Sequence, residues 1–497
     1  MEDVKKGQIP SLSKSRFMAG LQCHKRLYLE CFSRELADPV EEGRQAIFDA
    51  GTEVGQLARE LYPEGVLITE DHLHHDDAVE STNLLLADPG LPAIYEAAFR
   101  HDEIRIRTDV LARADDDSFN LIEFKSSTQV KEENIPDVCV QAYVLNGCGI
   151  KVRCACIGHL NNEYVYQGGA YDLRQLFRVE DVTEQVQRML PEIPTLLDDM
   201  RRQLQSAEPP DIRPGRQCLT PYECAFFEHC HSHQPEHSVD QLPRANEKLL
   251  RSLADAGIED IRCIPAEFTG LNELQQRVRD CVIHDRVYLS ESLERHLELA
   301  YPVHFLDFET FNPALPIYAG TRPYQVIPFQ WSDHILEQNG QLRHEQFLYE
   351  GSDDPRISFI ESLLQTLGTV GSIVVYTSFE ATRIRELAAA FPAYSTALLR
   401  LLDDRIVDLY QLIKTHCYHP NFHGSFSIKS VLPALVPELG YDDLKITDGG
   451  MASIAYAEMR RPETSSERRR SLKDNLLKYC RRDTEAEVRI FQTLRGG

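Results

Sequence analysis

The sequence predicts an α/β protein of more than one domain, and three observations carry that prediction. The chain has 497 residues, where one domain usually takes about 100–200. Two strand-like runs, IRIRTDVLARA and FNLIEFKSS, flank the turn Asp115-Asp116-Asp117-Ser118. A further run, VHFLDFETF, opens a C-terminal region in which strands and helices alternate. A hydrophobic fraction of 42% with 26% charged residues excludes wholesale disorder. No apolar run approaches the ~20 residues that cross a bilayer. The opening MEDVKKGQIPSLSKSRF has no apolar stretch of signal-peptide type, so the expectation is a cytoplasmic protein with no membrane partner.

Taken in order, residues 1–40 read as helical with the polar start SLSKSRF, and 44–62 carry apolar spacing of helical type. IYEAAF, ahead of the first strand, also reads as helix. Helical segments follow the second strand through about residue 205, with the strand-like RCACIGHL among them. Next comes a Cys/His-rich stretch, CLTPYECAFFEHCHSH, and a polar, Pro-containing passage near 234–243 that marks a boundary. KLLRSLADAGIEDIRCIPAEF has the outline of helix, Gly257-Ile258, helix start. Helix-hairpin-helix elements share that outline and grip phosphates through backbone N–H groups; a plain helical spacer fits better. The predicted organisation is a domain over 1–235, a helical linker over 236–300 and a domain over 301–497.

The charge balance, 53 Lys+Arg against 78 Asp+Glu for a net −25, argues against a polycation that coats nucleic acid. It leaves room for an enzyme whose carboxylates hold metal ions and whose basic groove is local. Asp109 and Glu123 lie seven residues on either side of Asp116, which would set them opposite each other on an antiparallel pair. Glu123 and Lys125, at i and i+2, share a face. Two carboxylates and an ammonium on one face can hold a hard divalent cation and position a water. A solvated hairpin face with a cross-strand salt bridge has the same pattern.

Thirteen cysteines, an odd number, point away from a disulfide framework. Cys218-x5-Cys224-x5-Cys230 lacks the C-x2–4-C pairs of common zinc sites. Thiolate ligation suits an iron–sulfur cluster as well as zinc, so spacing leaves the metal open, with buried thiols as the alternative. Cys154 and Cys156 fit a core strand better. His229, His231 and His233 are spare ligand candidates beside the cysteines.

In VHFLDFETF, Asp307 and Glu309 share a strand face with Phe305. Leu472, Leu476, Tyr479, Asp483, Ala486, Ile490 and Leu494 step by threes and fours into one apolar stripe. Asp483 within that stripe needs a partner. A metal shared with Asp307 and Glu309 would supply one; a buried Arg would do so too.

These residues carry two resemblances. The Asp109, Glu123, Lys125 pattern resembles the PD-(D/E)XK nuclease core, with Thr108-Asp109 in place of Pro-Asp. The resemblance implies Mg²⁺ or Mn²⁺ on the two acids and a water-orienting Lys. It also suggests Glu96 as a helix-borne acid and Gln141 as the Gln of the RecB-like branch, whose Tyr is displaced here to Tyr143. Cys23 in LQCHKRLYL, with Cys218, Cys224 and Cys230, resembles the iron–sulfur RecB-like nucleases, CRISPR-associated exonucleases among them. That resemblance implies a [4Fe–4S] cluster pinning the N-terminal segment to the end of the domain. Asp307-x-Glu309 and Tyr479-x3-Asp483 resemble the first and third motifs of DnaQ-like, RNase H-type DEDDy 3′–5′ exonucleases. Glu380 stands where the second motif normally has Asp, and Asp408 competes for that role. Lys429 and two neighbouring serines are candidate phosphate contacts. Together they resemble a bacterial family in which both nucleases are fused, sharing LDFETF, PFQWS and GSFSIKSVLP. The implied partner is nucleic acid, DNA ahead of RNA. The alternative is a nucleic-acid-binding or scaffold protein in which one or both sites are inactive.

Overall fold

The computed structural model describes residues 10–39, 42–114 and 116–496, so MEDVKKGQI, Val40, Glu41, Asp115 and Gly497 lie outside the described residues. The fold is mixed α/β and divides into two compact units. The first comprises residues up to 233 together with 313–325; the second comprises 234–312 and 326 onward. The expected linker over 236–300 is therefore part of a folded unit. Val239, Leu242, Leu249, Leu253, Ile261 and Val278 are buried in one core with Phe305 and Phe491. The segment 313–325, expected in the C-terminal domain, instead packs Ala314 and Leu315 with Tyr164 and Phe177 of the first unit. No helix among the described residues is long and apolar enough to cross a membrane.

The first unit is built on a seven-stranded sheet in the order Val66–Leu67, Ala93–His101, Ile104–Arg113, Phe119–Lys125, Val152–Leu160, Phe177–Asp181, with Leu12–Ser13 also pairing Ile104–Arg113. Ile104–Arg113 alternates buried and half-buried residues as far as Asp109, as a strand with one wet face should. It pairs antiparallel with Phe119–Lys125, and the ladder from Arg113↔Phe119 to Val110↔Ile122 is symmetric about Asp116. The helix Asn134–Gly147 carries the chain across to the parallel strand Val152–Leu160. Most of its length is buried: Val138, Cys139, Val140, Ala142, Val144 and Leu145 pack into the core, and the polar row Asn134, Asp137, Gln141 is buried as well. Phe177–Asp181, expected to be helical, is an edge strand. IYEAAF is also a strand, within Ala93–His101.

The second unit has a five-stranded sheet in the order Leu342–Leu348, Ile327–Leu336, Val303–Phe311, Ser372–Val375, Ile406–Asp408. The first three run antiparallel and the last two join in parallel. Ile327–Leu336 is buried at every position, which requires cover on both faces. One cover is the helix Ser466–Gly496, whose stripe from Leu472 to Leu494 is buried throughout. Gln330 Nε2 donates to the Leu476 carbonyl at 2.9 Å, and Thr484 Oγ1 lies 2.8 Å from both Ser332 Oγ and His334 Nδ1. These bonds fix the rotation of the helix beside Asp483.

Candidate metal centres

In the first unit, one further step of the ladder sets Asp109 opposite Glu123. The strands part there, and Asp109 Oδ2 accepts from the Phe124 N–H at 2.7 Å. Burial, then the Glu123 charge, pushes the Asp109 carboxyl up to about 7. Glu123 is only 2% exposed. Its Oε1 accepts from Lys14 at 2.6 Å and Lys125 at 2.9 Å, and its Oε2 accepts from Gln141 Nε2 at 2.9 Å. Burial works to raise the Glu123 carboxyl, but the Lys125 and Lys14 charges hold it well below the usual range. Lys125 also donates to Asp137 Oδ2, and Lys14 lies 3.5 Å from Asp137. Three carboxylates thus meet two ammonium groups.

Lys14 and Asp137 belong to this centre, and sequence reasoning missed both. Asp137 is one helical turn before Gln141, and that spacing was a usable signal. Glu96 stands elsewhere: it is a strand residue with φ +55° that pairs with Arg59 at 2.8 Å. Tyr143 also points away, its hydroxyl donating to Asp102 at 3.0 Å, and Leu145 fills core space.

The four cysteines converge as well. Cys23, Cys218, Cys224 and Cys230 line one pocket with Lys25, Arg26 and Phe226. Gln22 Nε2 donates to the Gln217 and Tyr222 carbonyls at 2.7 Å each, tying the N-terminal helices to the cysteine loop. Burial pushes the Cys224 thiol up to about 11, and the neighbouring thiols Cys218 and Cys230 add to it. His229, His231 and His233 do not line the pocket; His231 stacks on Phe227 at 3.8 Å. Cys154 and Cys156 lie with the strand core.

In the second unit, Asp307 and Glu309 project from Val303–Phe311, Glu380 from the first turn of Phe379–Ala390, and Asp483 from the long helix. Phe305, on the same strand face, packs edge-on to Phe491 at 5.3 Å. Glu487, one turn beyond Asp483, adds a fifth carboxylate that sequence reasoning overlooked. Asp307 is half-buried and the other four are buried. Burial pushes Asp307 to about 6, while burial and the Asp307 charge push Asp483 to about 8. Glu309, Glu380 and Glu487 rise well above the carboxylate range for the same reasons. The cation these acids feel is Lys429, on Glu309 and Asp483, and it is exposed.

Among the described residues, Asp307, Glu309 and Cys480 form the one group of three ligand atoms all within 4.8 Å of one another. Cys480 Sγ donates to Asp307 Oδ2 at 3.4 Å. Asp483 receives the Tyr441 hydroxyl at 2.5 Å and feels a hydrogen bond from Tyr479. Burial, with the charges of Asp483, Glu309 and Asp307, raises the Tyr479 phenol far above its ordinary value, so it stays protonated. Glu380 Oε2 and Glu487 Oε2 are buried without a hydrogen-bond partner. Asp408 caps Leu409–His416, accepting from the Gln411 N–H at 2.9 Å, and its charge is among those that raise Glu380.

The model of one family, described as a domain of unknown function (DUF2779), matches residues 304–427. That span holds Asp307, Glu309, Glu380 and Asp408 and ends before Tyr441, Tyr479 and Asp483. No curated protein matches the chain.

Proposed function

We propose that the chain is a metal-dependent nuclease with two phosphodiester-hydrolysing centres, an iron–sulfur RecB-like PD-(D/E)XK domain and a DnaQ-like DEDDy exonuclease domain. The observation that carries the reading is the five-carboxylate cluster of the second unit. Buried carboxylates without cations are costly, and two of them leave an oxygen unpartnered. The carboxylate oxygens suit hard divalent ions, Mg²⁺ or Mn²⁺, and the Cys480 thiol beside them, pushed well above its ordinary value by burial and the Asp307 charge, stays protonated. Asp307, Glu309, Glu380 and Asp483 would hold such ions, with Glu487 behind them. When bound, two such ions supply an activated water and stabilise the leaving oxygen of an in-line displacement. Tyr479, held protonated, serves as a donor that orients water, and Tyr441 fixes Asp483. The mixed five-stranded sheet, three antiparallel strands joined by two parallel ones, supports the α/β part of that reading.

In the first unit, Asp109 and Glu123 would hold a divalent ion, and Lys125 would orient water against phosphate. The four cysteines lining one pocket would supply the four thiolates of the [4Fe–4S] cluster that the resemblance to iron–sulfur RecB-like nucleases implies. Glu380 in place of the expected Asp favours the second reading, a nucleic-acid-binding protein whose C-terminal centre is inactive.

The test is an assay of anaerobically purified chain on end-labelled DNA and RNA with Mg²⁺ or Mn²⁺, alongside metal analysis. Metal-dependent cleavage and about four iron atoms per chain are expected. No cleavage of any strand type would overturn the nuclease reading, and stoichiometric zinc without iron would overturn the cluster.

A further inference from the structure

We infer that residues 236–300 form one wall of a groove for single-stranded nucleic acid, with Arg244 and Lys414 on phosphates and Tyr410 beneath a base. The inference deepens the exonuclease reading and rests on it for the path of the strand, which would lead its 3′ end to the carboxylates. The binding itself needs no hydrolysis.

The groove lies wholly within the second unit, and Pro243, Arg244 and Leu274 face Tyr376, Tyr410, Lys414 and the loop Gly424–Ile428 across it. Its volume is about 550 Å³, within the roughly 300–1,000 Å³ of ligand clefts. The wall is built rather than incidental. Gly424 has φ +75°, and a Cβ there would sit 1.6 Å from the Gln241 carbonyl oxygen, so only glycine lets the loop seat against this segment. Gln275 Nε2 donates to the Pro243 carbonyl at 2.9 Å, holding the turn that presents Arg244.

The chemistry of the lining selects the occupant. Tyr376, Tyr410 and Phe426 meet edge to face, with Tyr376–Tyr410 and Tyr410–Phe426 centroids each 6.3 Å apart. Lys414 Nζ lies 5.6 Å from the Tyr410 ring, presenting charge and ring together. Neither Arg244 nor Lys414 is in an ion pair with a carboxylate among the described residues, in a chain of net charge −25. Aromatic platforms beside unneutralised cations are how proteins grip single strands without reading sequence. Ser425 and Ser427 add hydroxyls on the same wall. Lys429 directly follows Ile428 of this wall, and its charge acts on Glu309 and Asp483.

The experiment is fluorescence anisotropy of labelled single-stranded DNA and RNA on the full chain, in EDTA over a series of salt concentrations. R244Q/K414Q should weaken binding at least tenfold. Its dependence of log K on log salt should flatten by about 1.4, since each lost phosphate contact on a single strand contributes ~0.7. An unchanged slope and affinity for both nucleic acids would overturn the inference. Strands carrying thiothymidine or thiouridine give a second readout that needs no variant. Crosslinks should map to Tyr410, and crosslinks found only in the first unit would overturn it. A preference for an acidic peptide over both strands would do the same. If D307N trims as wild type while R244Q/K414Q loses binding, the exonuclease reading falls and the groove stands.

Discussion

The two acidic centres solve the same electrostatic problem in opposite ways. In the first unit, Asp109, Glu123 and Asp137 are answered from within by Lys14 and Lys125, and Glu123 stays ionised although it is buried. In the second, five carboxylates share a site whose cation, Lys429, sits at the surface, and each carboxyl is driven upward. The first centre is close to neutral before any metal arrives. The second must take up protons or divalent ions to exist folded at neutral pH. Charge balance, rather than the number of acids, decides how strongly a site depends on metal.

The sharpest way to break the comparison is Asp307→Asn. The amide keeps the shape of the side chain but removes charge from the centre that has least to spare. Stepwise trimming of a free 3′ end should fall by orders of magnitude, while cleavage assigned to Asp109 and Glu123 persists. Without metal, the same variant should melt higher than wild type, because one buried like charge is gone. Trimming at the wild-type rate would remove the second unit from the catalytic account.

Much of each centre was legible where the spacing is local. The Asp109–Glu123 pairing follows from a hairpin symmetric about Asp116, and register in a half-buried pair is tightly specified. The stripe through Asp483 followed from helical periodicity alone. The same steps would have reached Glu487, had Ala486 not filled the apolar pattern first. IYEAAF misled because alanines favour helix; in place, Ala97 and Ala98 are completely buried strand residues against Ile104–Arg113, and that pairing overrides propensity. Lys14 and Tyr441 reach their carboxylates across 109 and 42 residues of sequence, distances no local pattern spans. The seating of 313–325 in the first unit has no local signal either, because its partners Tyr164, Tyr166 and Phe177 lie still farther away in sequence.

Lys14→Gln tests the other half of the comparison with a smaller expected effect. Lys14 and Lys125 donate to the same Glu123 oxygen, so each competes with an incoming divalent ion for that carboxylate. Removing one ammonium should tighten Mn²⁺ binding to the first centre about tenfold, or about 1.4 kcal/mol. Titration calorimetry on the Asp307→Asn background isolates that centre. Weaker Mn²⁺ binding would mean that Lys14 organises the carboxylates rather than competing for them.

The smallest effect is on stability, and its sign separates Glu123 from the raised carboxyls of the second unit, whose sign Asp109, at about 7, shares. A carboxyl raised on folding makes the native state bind more protons than the unfolded chain, so stability falls as pH climbs from the unfolded to the folded value. For Asp307 that interval runs from 3.8 to about 6, and for Asp483 from 3.8 to about 8. Glu123 has the opposite sign, since its depressed carboxyl contributes stability that is lost only as pH falls below the ordinary Glu range. Between pH 6 and 8, in EDTA, the melting of the second unit should therefore shift downward, on the order of 5 °C. Mn²⁺ should cancel the shift, because bound cations replace the protons. Circular dichroism melts with and without Mn²⁺, on wild type and Asp483→Asn, measure it. A melting temperature that rises with pH in EDTA would show that the carboxylates of the second unit have found a cation within the chain, and the contrast between the two centres would disappear.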